Sequence, residues 1–158
     1  MKNLVITLGA LISFSSSTSV MAEDSFPGRA TFPEIPVYSK ADLARDFNNV
    51  VVVDTRSSAK FARLHMKDAV NIPLASEKFA DRVRALRKQT TRRIVFYCNG
   101  HASHNPYLAA RAAMHAGVKN VFAYDAGIDE WAVAYPQKVV LAGKVSANSY
   151  PLQLARQY

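Results

Sequence analysis

The sequence predicts an α/β domain with a central, mostly parallel sheet and helices on both faces. Three observations lead there. Val50-Val51-Val52-Val53 is a β-branched run with no polar alternation, Ile94-Val95-Phe96-Tyr97 repeats that character, and the stretches around them show helical spacing of apolar residues. A strand that is apolar on both sides needs cover on both sides, as in a parallel sheet. Strands alternating with helices supply that cover through crossover connections.

Residues 23–36 contain Pro27, Gly28, Pro33 and Pro36 with little periodicity and read as an irregular lead-in. Ser39 offers a helix N-cap, followed at helical spacing by Ala41, Leu43, Ala44 and Phe47. The valine strand then ends at Asp54-Thr55-Arg56. Ser57 or Ser58 can cap a brief helix through Phe61 and Leu64, and Ala69-Val70-Asn71-Ile72 reads as a short strand closed by Pro73. Phe79, Val83 and Leu86 mark one face of a helix over roughly 77–88. The strand at 94–97 delivers Cys98. After a patternless loop, Pro106 suits the first turn of a helix running to His115, which Gly117 can end. Val121-Phe122-Ala123-Tyr124 is a further strand, and Ile128 to Ala134, with Trp131, a final helix before Pro136. Residues 137–158 form a C-terminal tail with apolar Val139, Val140 and Leu141, whose packing the sequence leaves open.

Residues 1–22 have the layout of a secretory signal peptide: Lys2, an apolar run from Leu4 to Phe14, a Ser/Thr-rich stretch and Val20-Met21-Ala22, with cleavage expected after Ala22. The alternative is a retained N-terminal anchor, although the apolar run falls short of the about 20 residues that span a bilayer. The expected product is not membrane-spanning once processed and is extracytoplasmic, most simply periplasmic. It retains about 136 residues, the size of one domain. The 158-residue chain carries 20 Lys and Arg against 12 Asp and Glu. These charges are scattered among apolar positions and acids, which suits a solvated face that favours small anions. With no basic cluster interleaved with aromatics, nucleic acid is not an expected partner.

Cys98 is the chain's single cysteine. Cysteines in an oxidising compartment mostly pair, so an unpaired one is either a buried small hydrophobe or a reactive thiol. Its place at a strand end, before a short loop and a helix start, favours reactivity. Loop amides can form an anion-binding nest, and the helix N-terminus adds partial positive charge. Such surroundings favour the thiolate, a nucleophile for electrophilic sulfur or phosphorus. His101 or His104 could donate hydrogen bonds to it or be plain loop residues. Cys98, His101 and His104 could also supply metal ligands, copper(I) included, but their spacing matches no familiar structural site, and neither metal nor other cofactor is expected. No nucleophilic-serine motif and no Gly-rich phosphate loop before a lysine is present.

Four segments in order resemble the rhodanese homology domain, over residues 37–136. Val50 to Arg56 is similar to its first core strand with an Asp-x-Arg ending. Leu64 to Pro73 resembles its Gly-His-Ile-Pro-Gly-Ala-x-Asn-Ile-Pro segment. Ile94 to Cys98 resembles the strand presenting the catalytic cysteine, and Asp125 to Trp131 the closing Gly-Gly-x-x-x-Trp turn and helix. The resemblance implies a sulfurtransferase: the Cys98 thiolate takes sulfane sulfur from a small anionic donor such as thiosulfate, holds it as a persulfide and passes it to a thiol or protein acceptor. It further implies that Asn99, Gly100, His101, Ala102, Ser103 and His104 hold the donor through their amides, that Asp54 and Arg56 support the loop, and that His65 is a packing residue.

Two departures qualify the resemblance. Active family members commonly carry an arginine five positions after the cysteine, where this chain has Ser103, and the loop is about two residues longer than the usual short form. The longer loop is similar to that of related phosphatases, but the absence of a loop arginine argues against phosphatase activity. The chain also resembles exported members with Cys-Asn-Gly and a second cysteine at the Ser103 position, and serine there excludes an intraloop disulfide. The alternative to an enzyme is a non-catalytic rhodanese-like module that binds an anion, a metal ion or a protein partner through the Cys98 loop.

Overall fold

In a computed structural model that describes residues 26–142, the valine run forms β1 (Val50–Asp54), buried along its whole length. It pairs in parallel with β3 (Val70–Asn71) on one side and β4 (Arg93–Tyr97) on the other, and β4 pairs in parallel with β5 (Val121–Tyr124). The order is β3-β1-β4-β5. A bridge from Val37 to Ala123 extends the β5 edge.

The absence of polar alternation in β1 and β4 follows from two separate cores. Val51, Val53, Ile94 and Phe96 point to one face, packed with Phe79 and Val83 of α4 (Phe79–Gln89) and with Tyr107, Ala109, Ala110 and Ala113 of α5 (Asn105–His115). Val50, Val52, Val95 and Tyr97 point to the other. There they meet Leu43 of α2 (Lys40–Asp46), Phe47, and Ile128 and Trp131 of α6 (Gly127–Ala134). Alternate residues serve opposite cores, and each fully buried aliphatic side chain contributes about 1.5–3 kcal/mol. The expected helix signals act as read: the Ser39 hydroxyl accepts the Asp42 amide at 3.1 Å, and Gly117, at φ +79°, follows α5.

Three elements differ from the sequence reading. The irregular lead-in contains a short helix, α1 (Pro27–Thr31), with Pro27 in its first turn. It is held by long-range contacts: Gly28 lies so close to Tyr107 that a Cβ would fall 2.1 Å from the ring, and Arg29 Nε donates to Asp125 at 2.8 Å. The brief helix α3 (Ser58–Arg63) stops before Leu64, because Leu64–Met66 is extended as β2. Its antiparallel partner is β6 (Val139–Leu141), formed by the apolar start of the tail. None of the described helices is long and apolar enough to cross a membrane. The expected signal peptide and the tail beyond residue 142 lie outside the described residues.

The small sheet is tied to the large one by the Tyr97 hydroxyl, which accepts the buried Met66 amide at 3.0 Å. Tyr97→Phe leaves that amide unpaired, and urea denaturation is expected to show a loss of about 1–3 kcal/mol.

Candidate active site

Because β1, β3, β4 and β5 are parallel, their carboxyl ends share one edge, where ligands of such sheets bind. Asp54 lies opposite Tyr97 in register, so Asp54-Thr55-Arg56 and Cys98 leave the sheet side by side. Thr55 fastens the two exits. Its amide and hydroxyl donate to the Tyr97 carbonyl at 3.0 and 2.8 Å.

Asp54 and Arg56 form a buried ion pair, with side chains 0% and 6% exposed. Arg56 Nη2 is 2.6 Å from Asp54 Oδ2 and 2.5 Å from the Leu64 carbonyl, while Arg56 Nε lies 3.0 Å from Asp54 Oδ1. Burial alone would lower the Arg56 pKa. Hydrogen bonding and the charge of Asp54 more than offset it, and the net shift is upward, with smaller contributions from Tyr97 and Cys98. The guanidinium and the Cys98 thiol border the same cleft. Asn71 bridges the same turn, donating to the carbonyls of Asp54 and Arg56 at 3.2 and 3.0 Å.

The loop after Cys98 is anchored from α6. Ile128 and Asp129 amides donate to the carbonyls of Cys98 and Asn99 at 3.0 and 3.1 Å. This approach requires Gly127, whose φ is +72° and where a Cβ would fall 2.1 Å from the Asn99 carbonyl oxygen. With two carbonyls held by α6, the amides of Gly100, His101 and Ala102 donate to no acceptor among the described residues. They are available to a ligand, as an anion nest requires.

Cys98 itself is a free thiol, 3% exposed. Asn105 Nδ2, in the first turn of α5, lies 3.7 Å from its sulfur. The thiol borders a cleft of about 430 Å³ whose walls come from three places: Thr55 to Ser57 with Lys60, the Pro73–Ala75 segment, and Asn99 with Asn105. A second cleft of about 460 Å³ borders the other part of the loop, Asn99 to Ser103, and is walled by Ala126, Asp129 and Glu130.

The loop residues read from sequence as donor-binding therefore do not gather at one place. Asn99 borders both clefts; Gly100, His101, Ala102 and Ser103 border the second. His101 Nε2 pairs with Glu130, which also receives Lys40 Nζ at 2.7 Å, and its ring stacks on Phe26. His104 precedes α5 and packs edge-on to Phe32. Among the described residues no group of three His, Cys, Asp or Glu side chains comes together as a metal site. His65 stacks on Phe61, with Nδ1 2.8 Å from the Phe61 carbonyl.

Lys60 and Asn105 were missed as site residues. Lys60 sits one turn into a brief helix and gives no local sign that its face borders the cysteine. Asn105 did carry a signal, as the polar residue before Pro106 at the helix start. Asp125, 2% exposed at the end of β5, accepts from the Tyr107 hydroxyl and from Arg29, fixing α1 beside α5.

The family model described as rhodanese-like domain matches residues 39–134. The chain belongs to the rhodanese-like family. A search of curated proteins gave no match. Among solved structures, this rhodanese-like chain is similar to the rhodanese-like domain of the Alr3790 protein from Anabaena sp., with 18% identity and a TM-score of 0.58 over 70% of this chain and 86% of that one. It is similar to a thiosulfate sulfurtransferase from Pseudomonas aeruginosa, with 17% identity and a TM-score of 0.58 over 84% of this chain and 26% of that one. It is also similar to an As-Sb reductase from Leishmania major, with 16% identity and a TM-score of 0.60 over 78% of this chain and 99% of that one. At these identities the likeness is one of fold.

Two glycines of positive φ separate backbone strain from loop contact. Gly117→Ala, with nothing within 4 Å of the new Cβ, is expected to cost about 1 kcal/mol. Gly127→Ala must displace the Asn99 carbonyl and is expected to cost about 2 kcal/mol or more. Denaturant titration of both variants checks the difference.

Proposed function

We propose that this rhodanese-like chain is an exported, periplasmic sulfurtransferase in which Cys98 carries sulfane sulfur as a persulfide. The observation that carries the reading is the place of Cys98: at the carboxyl end of β4, bordering an open cleft, with Asn105 Nδ2 3.7 Å from its sulfur and the charged Arg56 close by. The similar Pseudomonas aeruginosa protein is a thiosulfate sulfurtransferase, which agrees with this reading.

In the first half-reaction the Cys98 thiolate attacks the outer sulfur of thiosulfate. A bond forms between Sγ and that sulfur, the bond joining the two sulfurs of thiosulfate breaks, and its electron pair leaves with sulfite. The persulfide carries the negative charge on its terminal sulfur, to which Asn105 Nδ2, at the wall of the same cleft, can donate a hydrogen bond. In the second half-reaction an acceptor thiolate attacks the terminal sulfur, and the electron pair of the breaking bond restores the Cys98 thiolate. No metal or other cofactor enters either step.

Cyanide-dependent thiocyanate formation from thiosulfate tests this. The chain is expected to turn over, and Cys98→Ser to be inactive. A folded chain with a free thiol and no turnover would instead support the second reading, a non-catalytic module that binds an anion, a metal ion or a protein partner through the Cys98 loop. That reading is favoured by one observation, the absence of any arginine from residues 99–104.

Export rests on the layout of residues 1–22. In a bacterial host, N-terminal sequencing of the periplasmic fraction is expected to begin at Glu23; full-length protein retained with membranes would point to the anchor.

A further inference from the structure

The segment that precedes the family's residues 39–134 lies against the Cys98 loop. Both histidines of that loop pack on its phenylalanines. The His101 ring stacks on Phe26, with centroids 4.3 Å apart and planes 26° from parallel, and the His104 ring meets Phe32 edge-on at 5.7 Å. α1 joins the two phenylalanines, and each is tied to an element that holds the loop. Arg29 lies over the Phe26 ring at 4.1 Å and reaches Asp125 with Nε at 2.8 Å and Nη2 at 3.3 Å, two residues before Gly127. Phe32 stacks on Tyr107 at 5.4 Å, in the first turn of α5 and two residues after Asn105.

The first two carbonyls of the loop are held by α6, its far end enters α5, and between them the Ser103 amide closes a turn on the Gly100 carbonyl at 3.0 Å. His101 is gripped on two sides, by Phe26 and by Glu130. Asn105, whose Nδ2 lies 3.7 Å from Sγ, directly follows His104. We propose that residues 26–32 are a brace of the active site, in which Phe26 and Phe32 are positioning residues that act on the Cys98 loop through His101 and His104. The ring contacts fix where the loop enters α5, and so where Asn105 stands against the sulfur. The brace is independent of the reaction; its effect on turnover rests on the sulfurtransferase reading.

Amide exchange, followed residue by residue by NMR on the full chain, reads the loop directly. The Ser103, Ile128 and Asp129 amides close the loop turn and hold the carbonyls of Cys98 and Asn99. In Phe26→Ala they are expected to exchange about threefold to tenfold faster relative to the amides of β4, the fold-change of one aromatic contact. Phe32→Leu, which keeps apolar volume in the core, has the same selective effect, and Phe26→Tyr, which keeps the ring, has none. Phe122→Ala is the control: Phe122 is partly buried on the same core as Phe26 but sits near the start of β5, and its loss leaves the relative rates unchanged. His101→Ala loosens the same amides, and adding Phe26→Ala to it brings no further selective rise. For thiosulfate, Phe26→Ala is expected to lower kcat about threefold to tenfold with KM held within about twofold, and Phe26→Tyr to restore it.

Exchange that rises equally in β4 and the loop, or that fails to rise in either Phe26→Ala or Phe32→Leu, overturns the brace. So does a full further effect of Phe26→Ala in the His101→Ala background. Selective loosening in a chain that does not turn over thiosulfate supports the brace and removes the sulfurtransferase reading. Turnover with kcat and loop exchange both unaffected by Phe26→Ala keeps sulfur transfer and removes the brace.

Discussion

The parallel pairing of β1 with β4, with Asp54 opposite Tyr97, is the constraint on which the site depends. It sets the turn after β1 beside the residue after β4, so that Thr55 can clamp the Tyr97 carbonyl and the Asp54–Arg56 pair can lie beside Cys98. A shift of one residue would exchange the two cores, placing Tyr97 and Val95 where Phe96 and Ile94 belong. The hydrophobic effect therefore holds the register that the chemistry uses. The ion pair at the end of β1 adds a penalty against error, since removing one partner of a buried pair typically costs about 3–5 kcal/mol.

The loop is held by its carbonyls. The α6 amides donate to the carbonyls of Cys98 and Asn99, Gly127 allows the close approach, and the amides of Gly100 to Ala102 donate to no acceptor among the described residues. Amides fixed in this way can donate to an anion without reorganising. The two cations at the Cys98 cleft come from outside the loop. Arg56 stands beneath it, fixed by Asp54, and Lys60 stands at the cleft wall with its charge uncommitted.

The parts of the fold legible in the sequence are those with strong local patterns. β1, β4 and β5 declare themselves as apolar runs, and Ser39, Pro106 and Gly117 mark helix ends through backbone chemistry that needs no distant partner. The parts not legible are short and depend on contacts made only after folding. α1 exists through Gly28 on Tyr107 and Arg29 on Asp125, 79 and 96 residues away; β2 and β6 exist through each other. The site divides in the same way. Cys98, Asp54 and Arg56 end recognisable strands, whereas Lys60 and Asn105 become neighbours of the thiol only when three separate segments close around the cleft. His101, for which the sequence left open a hydrogen bond to the thiolate or a plain loop position, pairs with Glu130.

The central claim is that Cys98 carries sulfur as a covalent intermediate. Intact mass of the chain after thiosulfate and desalting tests it most directly. The account predicts a gain of one sulfur atom, removed by cyanide and absent from Cys98→Ser. An unchanged mass, with the thiol of the folded protein shown to be free, would contradict it.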